Sequence, residues 1–564
     1  MSLQSRAILE AVEVLRVRLH DAQLSLPVAG ADEARKSRDE LIGQIDDHVL
    51  PRLEALGAPL VVVIGGSTGA GKSTLLNSLI GREASPSGVL RPTTTTPVLV
   101  CNRSDIEWFQ DDRILPGLPR LTGAVKQGAH GLFLLRDDDI PAGLALLDAP
   151  DIDSVVASNR ELASQLLAAG DLWLFVTTAA RYGDAVPWEY LRKARERSTA
   201  LALVLNRVPP EAAVEVPAHL GQLLETNGLD AEVLVVPETH LADGLIPDEA
   251  LAPVRDWLRA LGNDADARAA VVRRTLEGAL ASFRPRVETI ALQIETQAAA
   301  AEALAGTASQ SYADALQVIE NGLAEGPLLR GEVLARWHEF IGTGDLMRSV
   351  QGAIGRARDR VRDTLLGRPP VEAEVRTAIE QSIQTLVVAA CDKAEENTRA
   401  SWRSSPPGRA LLDAGFVPER SAAELHEAID HEIRAWQSSV LELVSALGAS
   451  KRLAGRVVSI GVNAVGAALM IVVFAQTGGL TGGEVAIAGG SAAVSQRLLE
   501  ALFGDQAVRD LTAKARADLL ARLQGIVTSQ SARFETPARE AVDDVSLAVG
   551  LRSAVADVES SRSA

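Results

Sequence analysis

Eight consecutive residues carry the clearest chemistry in this sequence: Gly66-Ser67-Thr68-Gly69-Ala70-Gly71-Lys72-Ser73 fit the pattern G-x-x-x-x-G-K-[ST], with Thr74 following and the apolar run Val61-Val62-Val63-Ile64 before them. Glycines at this spacing let successive backbone N–H groups curl round a phosphate, which then also lies on the positive end of the next helix. In such a loop Lys72 reaches the β- and γ-phosphates and Ser73 offers its hydroxyl to Mg²⁺. A strand–turn–helix corner built only for packing also needs small residues. It has no use for a lysine and a serine at the helix start.

Three further positions could act on the same ligand. The strand-like run Leu144 to Asp148 ends in a carboxylate able to hold a Mg²⁺ water, and the turn behind it, with Asp151 and Ile152, could sense the terminal phosphate. The run Ala202 to Asn206 ends in an amide, followed by Arg207, placed to contact a base. Between the phosphate loop and the next strand, Arg91-Pro-Thr-Thr-Thr-Thr-Pro97 offers a threonine, Thr94 or Thr95, to close on the metal as a switch. Each has an ordinary alternative, since Asp and Asn terminate strands and a Pro-flanked Thr run suits an extended surface loop.

The elements that must position these groups follow from the pattern. From 58 to 262 apolar runs alternate with amphipathic stretches, as in an α/β domain with a largely parallel sheet, and ligands of such sheets bind at the carboxyl ends of the strands. Strands are predicted at 60–65, 97–102, 131–135, 144–148, 172–177, 200–206 and 232–236. Elsewhere helical patterning prevails. Aromatics make up only 3% of the 564 residues against 47% hydrophobic, so the interior is built from Ala, Leu and Val. The formal net charge of -18 excludes a general nucleic-acid binder, whose affinity comes from basic side chains on phosphates. The two cysteines, Cys101 and Cys391, make no disulfide framework, and the first residues lack the apolar core of a secretion signal, so a cytoplasmic setting is expected.

Taken together, Gly66 to Ser73, Pro92 to Pro97, Asp148-Ala-Pro-Asp-Ile-Asp-Ser154, Thr177 to Trp188 and Asn206-Arg-Val-Pro209 resemble the translation-factor-class GTPases, and within them the bacterial dynamin-like large GTPases of actinobacterial type. The resemblance implies GTP as substrate, Mg²⁺ on Ser73, Thr95 and Asp148, and two nucleotide domains facing each other across the bound nucleotide. Asp151 stands where a glycine is usual. Pro209 replaces the aspartate that grips guanine, so the choice of base rests on the resemblance. Ile152 takes the place of a water-orienting glutamine, and an apolar side chain cannot polarise water.

The helical remainder divides at prolines. One-faced helices at 1–57 are expected to pack with a bundle or stalk at 263–452 and with a returning segment at 497–564. The arginines at 356, 358, 360 and 362 read as a solvated face laced with charge pairs. Between the bundle segments, Val457 to Ala475 is nineteen residues without a charge, flanked by Lys451, Arg452, Arg456 and Arg497. As a helix it would reach about 28 Å, close to the ~30 Å of a bilayer core. A membrane hairpin at 453–496 is expected, using Val457, Ile460, Val462, Leu469, Ile471, Val473, Phe474 and Leu480. The alternative is an Ala/Gly-rich helix buried in the bundle.

The expected protein is an α/β P-loop GTPase domain plus a long all-α bundle with a hydrophobic hairpin, hydrolysing GTP at the inner face of the cell membrane. Its expected partners are the lipid membrane and a second copy, or a paralogous chain, met through the GTPase domains. The rivals are a membrane-anchored regulatory switch that recruits a protein and a nucleotide-binding scaffold without turnover.

Overall fold

The apolar runs of the first half form a single eight-stranded sheet. The computed structural model describes residues 3–85, 96–111, 114–115, 118–121, 131–154, 157–196, 199–324, 371–448, 462–475 and 495–563. Thr94, Thr95, Val457, Ile460, Leu480 and the arginines at 356–362 lie outside them. The strands are β1 (Leu60–Gly66), β2 (Val98–Cys101), β3 (Arg120–Leu121), β4 (Leu132–Arg136), β5 (Leu144–Asp148), β6 (Leu172–Thr178), β7 (Ala200–Val208) and β8 (Glu232–Pro237), in the order β3-β4-β2-β5-β1-β6-β7-β8. The β2–β5 pair is antiparallel and every other pair is parallel. The seven expected strands are all present within two residues at either end. β3, two residues long, shows no run from which it could be read.

Alternation splits each strand between two cores. Val61, Val63, Leu147, Trp173, Phe175 and Leu203 face one side, where Leu166, Leu191 and Leu220 of helices Ala157–Ala169, Ala185–Glu196 and Glu215–Thr226 cover them. Val62, Ile64, Leu146, Leu174 and Val204 face the other, beneath Leu75 of helix Lys72–Leu79 and Val254 of helix Asp248–Asn263. Coverage on both faces explains why the central strands read as unbroken apolar runs.

The chain separates into two units. The first comprises 1–24, 29–296 and 543–564, and so joins the sheet to both ends of the sequence. Its helical core gathers Val12, Leu15 and Leu19 of helix Leu3–Asp21 with Leu41, Ile45 and Val49, with Leu280, Phe283 and Val287, and with Leu551, Val555 and Val558 of helix Val545–Ser563. The Asp543 carboxylate accepts the backbone N–H groups of Gln23 and Leu24 at 2.9–3.0 Å.

A buried charge cluster ties these helices to the sheet. Asp171, at the start of β6, receives Nε of Arg52 at 2.8 Å and its Nη2, the Nε2 of His48 at 3.4 Å, and the backbone N–H of Val61 at 2.8 Å. Burial alone would push the Asp171 carboxyl up, but the Arg52 charge and the His48 ring outweigh it and hold it below the usual carboxylate range. A depressed carboxyl stabilises fully above its unfolded pKa of about 4, and that contribution fades as the pH falls below it toward the folded value.

The second unit comprises 25–28 and 297–542, and helices are the regular secondary structure among its described residues. Helices Val371–Ser404, Ala422–Gly448, Val462–Ala475 and Asp505–Glu540 join the latter part of helix Phe283–Ala324 around Tyr312, Trp402, Trp436, Phe474 and Phe534. Trp402 meets Phe534 edge-on at 5.5 Å, and Trp436 meets Phe474 at 5.9 Å. Both indoles are satisfied inside the core, Trp402 by the carbonyl of Leu304 and Trp436 by that of Ala515.

The membrane-hairpin expectation is not supported where its residues are described. Val462 opens a helix of 14 residues, and Leu469, Ile471, Val473 and Phe474 within it are at most 2% exposed, in the middle of the helical core. Among the described residues no helix is long and apolar enough to cross a membrane. A helix that is apolar all round has the character of one surrounded by others. Gly466 makes room for that, since a Cβ there would run into the Leu441 side chain of helix Ala422–Gly448.

Two substitutions test these assignments. Arg52→Ala is expected to cost about 3–5 kcal/mol at pH 7 by leaving Asp171 charged and unpaired, with the difference from wild type shrinking below about pH 4; urea unfolding at several pH values measures it. Phe474→Ala is expected to cost about 3–5 kcal/mol in the same assay without lipid, whereas an unchanged midpoint would return Phe474 to the surface.

Candidate nucleotide site

The described residues singled out from the sequence as nucleotide contacts lie at the carboxyl ends of β1, β5, β6 and β7. Strand register does this: Ile64 pairs with Asp148, Gly66 with Val176, and Thr178 with Asn206. The loop after β1 then turns through positive-φ glycines, Gly66 at 147°, Gly69 at 75° and Gly71 at 99°, into helix Lys72–Leu79. Two of these glycines have no room for a side chain. A Cβ on Gly66 would strike the carbonyl oxygen of Val176, and one on Gly71 would lie 2.5 Å from Nδ2 of Asn206.

Lys72 is 4% exposed, and its ammonium donates to the carbonyls of Gly66 at 2.9 Å and Ser67 at 3.2 Å and to the carboxylate of Asp151. Thr68 donates its N–H and its hydroxyl to Oδ1 of Asp153, at 2.6 and 2.7 Å. Arg181 completes that contact, with Nη1 on the carbonyl of Thr68 at 2.8 Å and Nη2 on Asp153 at 3.2 Å. Burial pushes Asp153 up, but Thr68 and the Arg181 guanidinium prevail and hold its carboxyl below the usual range. Two carboxylates from the turn after β5 thus sit on groups that suit a phosphate anion.

Asp148 is fully buried. Its Oδ2 accepts the hydroxyls of Ser73 at 2.7 Å and Ser85 at 2.6 Å, while Oδ1 has no hydrogen-bond partner. Burial pushes the carboxyl up, and the Ser85 and Ser73 hydroxyls and the Lys72 charge pull it back. A buried carboxylate oxygen without a partner is costly unless something binds it. The donor set fits a small hard cation that takes one carboxylate, one hydroxyl and otherwise phosphate or water oxygens. Among the described residues no group of three or more His, Cys, Asp or Glu could hold a metal by protein ligands alone. Ser67 Oγ is likewise buried and unpartnered.

Asn206, 4% exposed, donates Nδ2 to the carbonyl of Ala70 at 2.9 Å and accepts the N–H of Arg207 on Oδ1. It therefore braces the phosphate loop at Ala70. Arg207 has a positive φ of 54° and an exposed side chain. Ile152 is buried, its N–H 3.5 Å from the carbonyl of Gly66 and its carbonyl 3.4 Å from the Tyr190 hydroxyl. Thr74 is the third residue of the loop helix and accepts the Ser78 hydroxyl on its carbonyl. Ser85, Asp153 and Arg181 were not among the sequence-derived site residues. Asp153 and Arg181 lie inside the stretches that carried the resemblance, but only long-range contacts reveal what they touch.

Comparison with known proteins follows this geometry. A family model described as the Dynamin family matches residues 61–115. A stretch of 159 residues, 28% of this chain, is 23% identical to the probable transmembrane GTPase FZO-like, chloroplastic, of Arabidopsis thaliana, and spans 16% of that protein's length. Among solved structures, an oligomerised bacterial dynamin pair, described as a mechanism for the long-range sensing and tethering of membranes, aligns over 100% of this chain and 94% of its own at 11% identity and a TM-score of 0.44. LeoA, a bacterial dynamin GTPase from ETEC, aligns over 95% of this chain and 99% of its own at 13% identity and a TM-score of 0.23. The family match begins in β1 and takes in the phosphate loop, which supports a nucleotide domain of dynamin-like type.

Gly71→Ala tests the loop geometry. Strain of about 1–3 kcal/mol at the positive φ, added to the collision with Asn206, is expected to weaken GDP binding roughly ten-fold or more, measured with a fluorescent GDP analogue.

Proposed function

We propose that this chain is a dynamin-like GTPase that hydrolyses GTP to GDP and phosphate and couples nucleotide-dependent pairing of its nucleotide domains to peripheral membrane binding, tethering or reshaping. The observation that carries the reading is the buried Lys72 ammonium at the mouth of a glycine loop, neutralised by Asp151 beside the half-satisfied Asp148 carboxylate. A structural lysine would keep its counterion. A phosphate-binding one exchanges it, and here the loop carbonyls that also hold Lys72 keep the ammonium in place during the exchange.

In this reading the phosphates displace Asp151 from Lys72 and Asp153 from Thr68, and the segment 149–154 moves with them. Gly66 to Thr74 supply the phosphate cradle, Ser73 and Asp148 with Thr94 or Thr95 the metal ligands, and Asn206 and Arg207 the base contacts. Mg²⁺, when bound, neutralises charge on the terminal phosphate oxygens. Asn206 holds the loop at Ala70 while the base arrives. Ile152 gives a water nothing to hydrogen-bond through its side chain, so turnover by a lone chain is slow and a facing copy completes the site.

The apolar Ile152 also favours one second reading, a regulatory switch whose slow hydrolysis times the recruitment of a partner protein. Phosphate release measured with GTP and with ATP, with and without liposomes and over a range of protein concentrations, separates the two. A dynamin-like enzyme is expected to release phosphate from GTP at a rate per chain that rises with concentration or with lipid. Lys72→Ala is expected to abolish that release. A flat rate and indifference to vesicles, with nucleotide-dependent capture of one protein, would favour the switch.

A further inference from the structure

We propose that Ser85 is a positioning residue for the metal-binding carboxylate, holding Asp148 so that Oδ1 faces the cation, and that Asn77 holds Ser85 in turn. The inference rests on the nucleotide and Mg²⁺ reading above and adds a residue to it.

A carboxylate turns easily about its last side-chain torsion, which is broad and two-fold. One hydroxyl on one oxygen restrains it weakly. Asp148 carries two on the same oxygen: Ser73 and Ser85 both donate to Oδ2, at 2.7 and 2.6 Å. That saturates Oδ2 and leaves Oδ1 as the free, buried oxygen. A hydroxyl that donates its proton still carries acceptor lone pairs, so the bond of Ser73 to Oδ2 and its role as a ligand are compatible. Ser85 has no such second duty; its hydroxyl orients.

The rigidity of Ser85 has an identifiable source. It is 0% exposed, and its backbone is held at both polar groups by one side chain. The N–H of Ser85 donates to Oδ1 of Asn77 at 2.8 Å, and Nδ2 of Asn77 donates to the carbonyl of Ser85 at 2.7 Å. The same Oδ1 also accepts the N–H of Ala84 at 2.9 Å. Asn77 is 2% exposed and stands on helix Lys72–Leu79, one turn beyond Ser73. A closed ring results: one helix supplies Ser73 to the carboxylate directly and, through Asn77 and Ser85, supplies the second hydroxyl. Any displacement of the helix moves both hydroxyls together, so the carboxylate keeps its orientation toward the cation as the loop takes up phosphate.

The test is the linkage between Mg²⁺ and GDP, read from GDP affinity measured with and without Mg²⁺ using a fluorescent GDP analogue. Outer partners of metal-ligating carboxylates are worth about 10–100-fold in metal affinity, so the Mg²⁺-linked gain in GDP affinity is expected to shrink at least ~10-fold in Ser85→Ala and to recover in part in Ser85→Thr, which restores the hydroxyl. If wild type shows the gain and Ser85→Ala shows it undiminished, the positioning role is wrong while the nucleotide reading stands. If Ser85→Ala weakens GDP binding equally with and without Mg²⁺ and lowers the urea midpoint in parallel, Ser85 is only structural and the proposal fails. If wild-type GDP affinity does not depend on Mg²⁺, the metal reading itself falls and takes the proposal with it.

Discussion

A buried ammonium must have an anion, and at Lys72 that requirement organises the site. The lysine is inaccessible, two loop carbonyls fix where its charge lies, and a carboxylate three residues beyond the end of β5 is drawn onto it. Burial makes the demand stringent, because a charge removed from water keeps little stability without a partner. The positive-φ glycines bring the backbone close enough for those carbonyls to reach, and the strand register delivers Asp148, Val176 and Asn206 around them. The turn after β5 is therefore bound to the loop by electrostatics.

The part of this arrangement visible in the sequence was the part encoded locally. The phosphate loop is a run of neighbours, and the strands announce themselves because a sheet covered on both faces needs unbroken β-branched and leucine-rich stretches. What touches what across long separations had no such signature. Nothing about Ser85 in Glu83-Ala-Ser-Pro-Ser distinguishes it from any loop serine, and the partnership of Thr68 with Asp153 and Arg181 joins segments 85 and 113 positions from the loop. Such contacts depend on how the sheet orders its strands.

The uncharged stretch that begins at Val457 shows the opposite case, a loud local signal with two physical meanings. Length and lack of charge describe a helix in lipid and a helix enclosed by other helices equally well. The described part is decided by its neighbours: Trp436 lies against Phe474, and Gly466 lets Leu441 come close. Neither neighbour is readable from the stretch itself. Tyr312, Trp402, Trp436, Phe474 and Phe534 meet in this core, where Trp402 and Trp436 each spend their N–H on a helix carbonyl of another segment.

The Asp171 cluster bears on how the molecule can be dissected. That carboxylate anchors the start of β6, yet its side-chain partners Arg52 and His48 arrive from upstream of the first strand, and its backbone carbonyl accepts the hydroxyl of Thr275, downstream of the last. The sheet is thus not a detachable cassette. A fragment trimmed to its strands and covering helices would inherit an interior anion stripped of its guanidinium counterion, so the sheet has to be produced with both of its helical flanks attached.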